Sequence, residues 1–551
     1  GMQSIHRFWG FLVCFLSAFG ISAAAIQPEK VLILYNEVEE DSKEIADYYA
    51  EQRNIPQNNL IGMELPTKET ISWETYVDTI HNPLLKTLVN EQWIDADFST
   101  QRDRYRRLRT TIYGHQIDTI VLCKGVPLRI KKAARLMPPE RHDAIRKEYW
   151  TNRSSVDGEI SVIPFAHPSS VAYVPNPAYN KWDPGTFTRQ QMIPVARLDG
   201  PTKQDVIRMI DHALLAEEHG LRGRAYVDYS QKYESGDRWL QNTAEIIEQM
   251  GYPITENKGK KLLDWDQRFD APALYFGWWA WELSGPIRSE QFAFPPGAIA
   301  FHIHSYSAKT IRNDNKSWVG PLVARGATVT VGNVYEPYLQ LTHHPDLFMR
   351  ALQRGQQAGE AAVFALPALG WQAVFVGDPL YRPFKHSLEN QLINIDTDES
   401  DPLDQYTVIR KLRKMQTNEQ SEKAYRLGMR YYSQIGGLAL LSHLVNLHDQ
   451  LKSAPLELTD PINHAIQSLG KMDPFEASVA HAFAQELSNG GRHDQAYEVY
   501  RHLLVLNTLP QAQRLAVLQN AVRVARRVGK TQRANDWQER LQRLQSSNGS
   551  S

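Results

Sequence analysis

The chain has few cysteines, no long run of basic residues and only one strongly apolar segment. Its two cysteines are Cys14 and Cys123. Cys14 lies in the apolar N-terminal segment, so a mature chain without that segment keeps one thiol, which cannot form an intrachain disulfide. Its stability must then come from a core, which 551 residues are enough to build. The formal net charge of -1 gives no overall attraction to nucleic acid.

The apolar segment has the pattern of a secretory signal peptide. His6 and Arg7 precede the run FWGFLVCFLSAF at 8–19, and small residues follow as far as Ala25. This order predicts a signal peptide over residues 1–25 and a protein exported to the periplasm or the extracellular space. An uncleaved membrane anchor is the alternative, although the run is short for a membrane span. We expect no integral membrane segment after cleavage and no nucleic-acid partner.

Apolar runs alternate with helical patterns through residues 26–386. Many of the runs are continuous, as in strands that are buried on both faces. The predicted strands are 31–35, 119–123, 193–198, 225–229, 273–276, 298–304, 327–331 and 373–376. The clearest predicted helices are 42–53, 202–220, 238–251 and 345–355. This alternation predicts an α/β domain with a doubly wound, mostly parallel sheet.

The pattern changes after residue 386. Residues 387–405 are polar and acidic, which indicates a linker. Only helical periodicity follows over 406–545, and we predict a disordered tail at 546–551. A glycine, an alanine five residues later and then an aromatic residue occur twice, at 491–497 and 529–537. This phrase resembles the second helix of a tetratricopeptide repeat and predicts an all-α, repeat-like domain. A plain helical bundle is the alternative.

Polar residues and glycines follow most of the predicted strands. Ligands of doubly wound sheets bind at the carboxyl ends of the strands, so these residues predict a binding edge. Turns after strands favour the same residue types without any ligand, which is the alternative. Asp199 could instead pair with Arg197, and Asp378 could brace a turn. The predicted binding residues are Asn36, Lys124, Asp199, Asp228, Trp278, Ser305, Asn333, Glu336 and Asp378.

The stretch GAIAFHIHSYSA at 297–308 contains two histidines that are separated by one residue. His302 and His304 would point to the same face of a strand. Such a pair can bind zinc if a third ligand is supplied, for which His343, His344, Asp346 and Asp199 are conceivable. No second metal-binding spacing is present, and we predict neither a metal nor another cofactor. We expect His302 to be structural and His304, at the end of the strand, to be the candidate catalytic base.

Three neighbouring tryptophans and one cysteine complete the candidate residues. Trp278, Trp279 and Trp281 could line a cleft for a peptide or a sugar, or could pack in the core. Cys123 lies in an apolar strand, which predicts a buried, unreactive thiol.

Several ordered phrases of the first 384 residues resemble an uncharacterised family of exported bacterial proteins. Members of that family occur mainly in bacteria that have exosortase protein-sorting systems, and the family has no established activity. The phrases are YY at 48–49 with RNIP at 53–56, KGVPL at 124–128, ARLDGPT at 196–202, HSYSA at 304–308, GNVYEPYL at 332–339 and GDPLYRP at 377–383.

The chain also resembles, more distantly, the gingipain and caspase-like peptidases. Their parallel sheet carries a catalytic histidine after one strand and a catalytic cysteine after the next. His304 matches the histidine position, whereas the cysteine position falls at 332–334, which contains no cysteine. The usual thiolate mechanism is therefore impossible.

Three functions remain open at this point. The first is an exported, peptidase-like protein that lacks cysteine-peptidase activity and binds a peptide or protein at the strand-end cleft during envelope sorting or export. The second is an active hydrolase that uses His304 with Asp199, Asp228 or Glu336, with or without a metal. The third is a structural envelope protein that acts through its helical domain.

Overall fold

The computed structural model describes residues 25–165, 168–259, 261–452 and 457–548. The predicted signal peptide falls on residues 1–24, outside the described residues, apart from Ala25. The strands are β1 (Val31–Asn36), β2 (Leu60–Met63), β3 (Thr70–Ile71), β4 (Ile94–Arg102), β5 (Leu108–His115), β6 (Thr119–Cys123), β7 (Arg129–Ile130), β8 (Ser154–Ser155), β9 (Val174–Pro175), β10 (Val195–Leu198), β11 (Arg224–Asp228), β12 (Ile254–Asn257), β13 (Pro272–Trp278), β14 (Ile299–Ile303), β15 (Thr330–Asn333), β16 (Ala368–Leu369) and β17 (Ala373–Val376).

The α-helices divide between the strands and the C-terminal part of the chain. Those among the strands are α1 (Glu40–Arg53), α2 (Trp73–Tyr76), α3 (Asn82–Asn90), α4 (Val156–Ser161), α5 (Thr186–Gln190), α6 (Lys203–His219), α7 (Glu234–Gln249), α8 (Val319–Ala324), α9 (Pro345–Gln353) and α10 (Ala358–Ala365). Those that follow are α11 (Leu388–Ile393), α12 (Asp404–Thr417), α13 (Ser421–Ile435), α14 (Leu438–Gln450), α15 (Thr459–Gln467), α16 (Pro474–Asn489), α17 (His493–Leu503), α18 (Gln511–Arg527) and α19 (Thr531–Asn548).

Two largely parallel sheets form the centre of the α/β region. The larger sheet has the order β15-β17-β10-β6-β1-β2, in which β15 and β17 are antiparallel and the other pairs are parallel. The smaller sheet has the order β12-β11-β13-β14 and is parallel throughout. A single parallel pair, Ile299 with Val329, connects the two sheets. Parallel sheets and the mixed α/β class were therefore predicted correctly, whereas one continuous sheet was not.

The apolar runs and capping residues that predict the strands and helices also explain why they form. All eight predicted strands are present, because their apolar runs are buried on both faces of the sheets: β6 and β14 are buried at every position. The helix α6 begins after a capping box, in which Thr202 and Asp205 bind each other's backbone N–H groups. The hairpin of β4 and β5 was not predicted, because most of its positions are exposed and it has no continuous apolar run; only Ile94, Ala96 and Phe98 of β4 alternate with polar residues.

The C-terminal helices build a separate apolar core and dock on the α/β region through α12. Arg410 of α12 donates to the carbonyl of Met250, and Tyr406 binds the carboxylate of Asp270. Further along the chain, the ring of Phe475 lies 5.4 Å from that of Phe292. These contacts fix α12 and α16 against residues that precede the strands of the smaller sheet.

Two predicted boundaries are wrong. The predicted linker, 387–405, contains α11, whose Leu388 and Leu392 are buried against the C-terminal core. The acidic composition hid this short apolar face. The helix α19 extends to Asn548, so residues 546–548 of the predicted disordered tail are helical, and 549–551 lie outside the described residues. Among the described residues, no helix is both long and apolar enough to cross a membrane.

Candidate functional site

His304 follows β14 directly and has one ring nitrogen engaged. Its Nδ1 lies 2.6 Å from the carbonyl oxygen of Ser305. A carbonyl can only accept a hydrogen bond, so Nδ1 carries the proton and the lone pair is on Nε2. Burial lowers the pKa of His304, and the Ser305 carbonyl and the charge of Glu336 oppose this shift. The ring is thus a neutral imidazole whose Nε2 can accept a proton or a hydrogen bond.

Tryptophan rings enclose His304. The ring centroid of Trp281 lies 4.3 Å from that of His304 in an edge-on arrangement, and that of Trp279 lies 5.5 Å away. His304 is 5% exposed, whereas Trp281 is 67% exposed. Trp281 therefore covers the histidine and presents much of its own ring to water.

Asn333, at the end of β15, is the nearest polar side chain on the neighbouring strand. Its Nδ2 donates to the carbonyl of His304 at 3.4 Å, and its backbone N–H donates to Ser307 Oγ at 3.0 Å. Its Oδ1 is buried without a hydrogen-bond partner. An unpaired buried acceptor costs free energy, so Asn333 Oδ1 is a natural place for a donor from a ligand.

Glu336 and Ser305 complete the group around His304. Glu336 is exposed, and its Oε1 accepts the backbone N–H of Tyr338 at 2.9 Å. Ser305 contributes its carbonyl rather than its hydroxyl to His304. The strand β14 ends at Ile303, so strand alternation does not set the direction of the Ser305 side chain.

Left-handed backbone conformations surround this group. Trp279, Tyr306 and Tyr338 have φ angles of 76°, 57° and 66°. Bulky residues rarely adopt positive φ, because their Cβ approaches the carbonyl oxygen. Such strain often concentrates at functional sites, and the sequence offers no signal for it at these positions.

An open groove lies at the end of β11, beside the aromatic rings that pack around His304. It has an empty volume of about 1010 Å³ including its open side, and Lys232, Tyr233, Asp237 and Lys258 are among its lining residues. Tyr233 is 47% exposed, and its ring centroid lies 5.0 Å from that of Trp279. The aromatic rings thus join the groove to the histidine.

Two residues predicted for this edge have structural roles. Trp278 is 3% exposed and donates from Nε1 to Asp237 at 2.7 Å, so it fills the core beneath the groove while Trp279 and Trp281 face His304. Asp228 accepts hydrogen bonds from Asn257 Nδ2 and the N–H of Leu263. Burial raises the pKa of Asp228 to about 6.

His302 is structural, as predicted. Its Nε2 accepts the backbone N–H of Ala280 at 3.0 Å, and its Nδ1 lies 3.1 Å from the hydroxyl of Tyr275. Its ring stacks on Trp318 with a centroid distance of 3.5 Å. Burial lowers the pKa of His302 well below its usual value, so the ring is neutral and fully bonded.

Asn36, Lys124 and Asp199 form a second group at the ends of β1, β6 and β10. The Asn36 amide donates to the carbonyls of Leu65, Pro66 and Gly125 and accepts from two backbone N–H groups. Lys124 Nζ donates to the carbonyl of Gly200 and lies 3.9 Å from Asp199. These hydrogen bonds hold loops together and leave Asn36 without capacity for a ligand.

Asp199 also belongs to a buried ion network. Arg197 is fully buried and lies between Asp157 and Asp199, at 2.7 and 3.2 Å. The guanidinium also donates to the carbonyls of Val126 and Pro127. The predicted internal pairing of Arg197 with Asp199 is confirmed, so Asp199 is engaged and does not serve His304.

Asp378 lies apart from both groups, contrary to its prediction as a binding residue. It is completely buried and accepts from Tyr49 at 2.5 Å and from Arg53 Nε at 2.7 Å. Its Oδ1 also accepts the N–H of Leu380. Asp378 therefore anchors α1 to the turn after β17. This agrees with the alternative prediction, in which Asp378 braces a turn.

Glu69 and Arg129 hold the loops that follow β14 and β15. The carboxylate of Glu69 accepts from the Thr310 hydroxyl and the Ile311 N–H, in the loop that follows β14. Arg129 donates to the carbonyl of Val334, and its guanidinium lies 4.9 Å from the ring centre of Tyr335. The sequence reasoning missed both residues, because they precede or form short strands and follow no long apolar run.

The remaining candidates do not add chemistry to the site. Cys123 is buried in β6, and burial raises the pKa of its thiol. Within the described residues, no three His, Cys, Asp or Glu side chains are grouped to hold a metal ion.

The site therefore consists of a neutral histidine, an unpaired amide oxygen, an exposed carboxylate and exposed aromatic rings. No family model, curated protein or solved structure matches the chain.

Proposed function

We propose that the chain binds an extended peptide, or an unfolded segment of another protein, along the cleft that joins His304 to the groove beyond Tyr233. The observation that carries this proposal is the pairing of exposed aromatic rings with unpaired hydrogen-bonding atoms in one place. Exposed aromatic side chains supply contact area at low entropic cost, and they are typical of recognition surfaces.

The polar atoms of the cleft suit a peptide backbone. Asn333 Oδ1 and His304 Nε2 are both acceptors, and a peptide presents N–H donors at regular intervals along its length. Lys232, over the ring of Trp279 at 5.1 Å, adds a donor on the opposite side. A peptide in this cleft would satisfy Asn333 Oδ1, which the folded chain leaves unpaired.

The same geometry argues against cysteine-peptidase chemistry in this chain. His304 follows β14, and the next strand in sequence, β15, ends at Asn333 rather than at a cysteine. The end of β15 therefore carries an amide side chain, Asn333, instead of a thiol. We propose, on this arrangement, a gingipain- or caspase-like domain that has kept a binding cleft for peptides, followed by a tetratricopeptide-like helical domain, in an exported protein of envelope sorting.

The test uses a permanently unfolded probe. Reduced, carboxymethylated and fluorescein-labelled α-lactalbumin is titrated with the full chain, and binding is followed by fluorescence anisotropy. We expect His304→Ala and Trp281→Ala to weaken binding by about tenfold each, because each removes a direct contact. His219→Ala, which changes a half-exposed histidine elsewhere, should leave the affinity unchanged. Equal binding by all variants would sink the assignment of the cleft.

A second function is favoured by the tautomer of His304. A neutral histidine with a free Nε2 can act as a general base and draw a proton from water that attacks a carbonyl. Glu336, whose charge raises the pKa of His304, would stabilise the imidazolium that forms. This alternative makes the chain a hydrolase that uses water rather than a side-chain nucleophile.

Ester hydrolysis distinguishes this alternative from binding alone. The full chain is assayed with p-nitrophenyl esters and fluorogenic peptides, with and without EDTA. A hydrolase predicts a rate that rises as His304 loses its proton and that falls strongly in His304→Ala. A rate that is the same in His304→Ala and in the unmodified chain would rule out this mechanism, and loss of the rate in EDTA would indicate a bound metal.

A further inference from the structure

A partly enclosed cleft lies away from His304, at the amino ends of β6 and β10. It has an empty volume of about 650 Å³ including its mouth, which is within the range of small-molecule sites. Its floor includes Ile117 and Met192, and one wall is formed by α10. Trp182 also lines the cleft, and its ring stacks on Phe364 of α10 with a centroid distance of 4.1 Å. The cleft is therefore lined mainly by apolar and aromatic side chains.

The walls of the cleft are held firmly in place. Ile117, Met192 and Phe364 are each at least nine-tenths buried. Gly359 allows α10 to approach Ile26, since a Cβ at this position would lie 2.7 Å from Ile26 Cδ1. Arg354 lies 3.8 Å from the centre of the Trp182 ring. A preformed apolar cleft binds a ligand with little ordering cost.

Two carboxylates lie at the cleft, and their partners differ. Asp118 accepts the backbone N–H of Gln27 at 2.9 Å and pairs with Arg189 at 3.3 Å. Glu360 accepts only the N–H of Gln357 at 3.1 Å, and within the described residues it forms no ion pair. Burial raises the pKa of Glu360, and the hydrogen bond from Gln357 and the charges of Arg382 and Arg189 oppose this shift.

We propose that this cleft binds a small amine with an aromatic or branched apolar body, whose ammonium group pairs with Glu360. The apolar walls would take the body of the ligand, and Glu360 would accept hydrogen bonds from its charged end. Arg189 does not oppose this pairing strongly, because its charge is matched by Asp118. Lys181, which also lines the cleft, is exposed and can turn toward water. The site does not depend on the peptide-binding cleft around His304.

Three indole probes of similar size test the proposal. Calorimetric titration of the full chain at pH 7.5 compares tryptamine, neutral tryptophol and anionic indole-3-propionate. We expect tryptamine to bind about tenfold more tightly than tryptophol, which is the typical effect of one charged hydrogen bond, and indole-3-propionate to bind most weakly. Equal affinity for the three probes, or no binding of any probe at millimolar concentration, would overturn the proposal.

Two variants locate the binding. Glu360→Gln keeps the shape of the side chain and should reduce the affinity for tryptamine to that for tryptophol, without changing the latter. Val363→Trp should fill the cleft and abolish binding of all three probes, with its fold checked by thermal unfolding. If Val363→Trp does not fold, the loss of affinity for tryptamine alone in Glu360→Gln still shows whether the probe binds at Glu360. His304→Ala should bind the probes unchanged, and a tryptamine preference that survives in Glu360→Gln would contradict the assignment.

Discussion

The α/β region and the C-terminal helices are stabilised by different means. The helices share one large apolar core that extends from Leu388 to Leu541. The α/β region instead buries charged groups, among them the Arg197 network and the cluster of Arg53 with Glu217 and Asp378. Of the twelve described non-glycine residues with positive φ, eleven lie in the α/β region and one, Glu419, in the helices. Residues with positive φ and buried ion pairs therefore accumulate in the α/β region, which also contains the two proposed binding sites.

This difference has a physical reason. Buried ions and strained backbone cost free energy, and they persist only where surrounding structure holds them in place. A helical bundle meets its hydrogen-bonding needs within each helix, so its core can be apolar throughout. Strand-end loops must find partners for their backbone groups elsewhere, and Asn36 and Arg197 supply them here. The loops are thus positioned by side chains, as a binding site requires.

The largest expected effect comes from breaking the buried ion network. Arg197→Leu leaves Asp157 buried without a cation, Asp199 with only Lys124 at 3.9 Å, and two carbonyls without a donor. We expect a loss of about 3–5 kcal/mol in the free energy of unfolding, measured by urea denaturation. The matched control is Arg238→Leu, whose ion pair with Glu234 is exposed and should contribute under about 1 kcal/mol.

The helical core offers the contrasting substitution. Leu444→Ala removes a fully buried apolar side chain and should cost about 2–5 kcal/mol by leaving a cavity. Unlike Arg197→Leu, this variant leaves no unpaired charge, so its cost should be insensitive to pH. An unchanged stability of Arg197→Leu beside a destabilised Leu444→Ala would refute the contrast between the two regions.

Acidification should remove the stability that neutral, buried histidines give to both regions. Burial lowers the pKa of His443 to about 3 and of His481 to about 4 in the helices, and of His343 to about 3 in the α/β region. Below the usual histidine pKa of about 6.5 the unfolded chain binds more protons, so this contribution is complete above pH 6.5 and is lost as the pH falls. At pH 5 each such histidine lowers the free energy of unfolding by roughly 2 kcal/mol.

Two buried carboxyl groups of the α/β region change stability with pH in the opposite direction to the buried histidines. Burial raises the pKa of Glu159 to about 7 and of Asp228 to about 6. These folded-state groups bind more protons than the unfolded chain between about pH 4 and 7, so they stabilise the fold as the pH falls through that window. Because His302 and His343 of the same region also have lowered pKa values, these carboxyl groups offset only part of the loss that acidification causes there. In Glu159→Gln we therefore expect the stability of the α/β region, measured by hydrogen exchange, to fall more between pH 7 and pH 5 than it does in the unmodified chain. An equal fall in both would contradict this.

Elements with a clear apolar pattern were predictable from the sequence, and much of the site was not. The continuous apolar run of β14 predicted both the strand and the place of His304 at its end. The covering of His304 by Trp281 and the positive φ of Trp279 depend on a loop without periodicity. The turn residues after strands could not be sorted in advance, because Asp378 and Asn333 look equally polar, and only tertiary contacts show which is saturated.

A smaller effect is expected from uncovering His304. Trp281→Ala removes the ring above the imidazole, so water reaches it and the burial that lowers its pKa is reduced. We expect the pKa of His304 to rise toward the usual value, measured by NMR titration of ¹⁵N-labelled histidine. The signal of His219 should not move in the same variant. An unchanged His304 pKa would mean that strands below the ring, rather than Trp281, exclude the water.

The smallest effect is expected at the remaining thiol, and it tests the absence of cysteine chemistry. Cys123 is 0% exposed in β6 between β1 and β10, and burial raises its pKa, so little thiolate forms near neutral pH. In a Cys14→Ser background, the folded chain should not react with a disulfide reagent such as DTNB over an hour, and one thiol per chain should appear in urea. Cys123→Ser in the same background has no thiol and gives the background signal of the assay. Rapid reaction of the folded chain would place a reactive thiolate in the sheet and reopen a thiol mechanism, since the strand that should exclude the reagent would then be open to it.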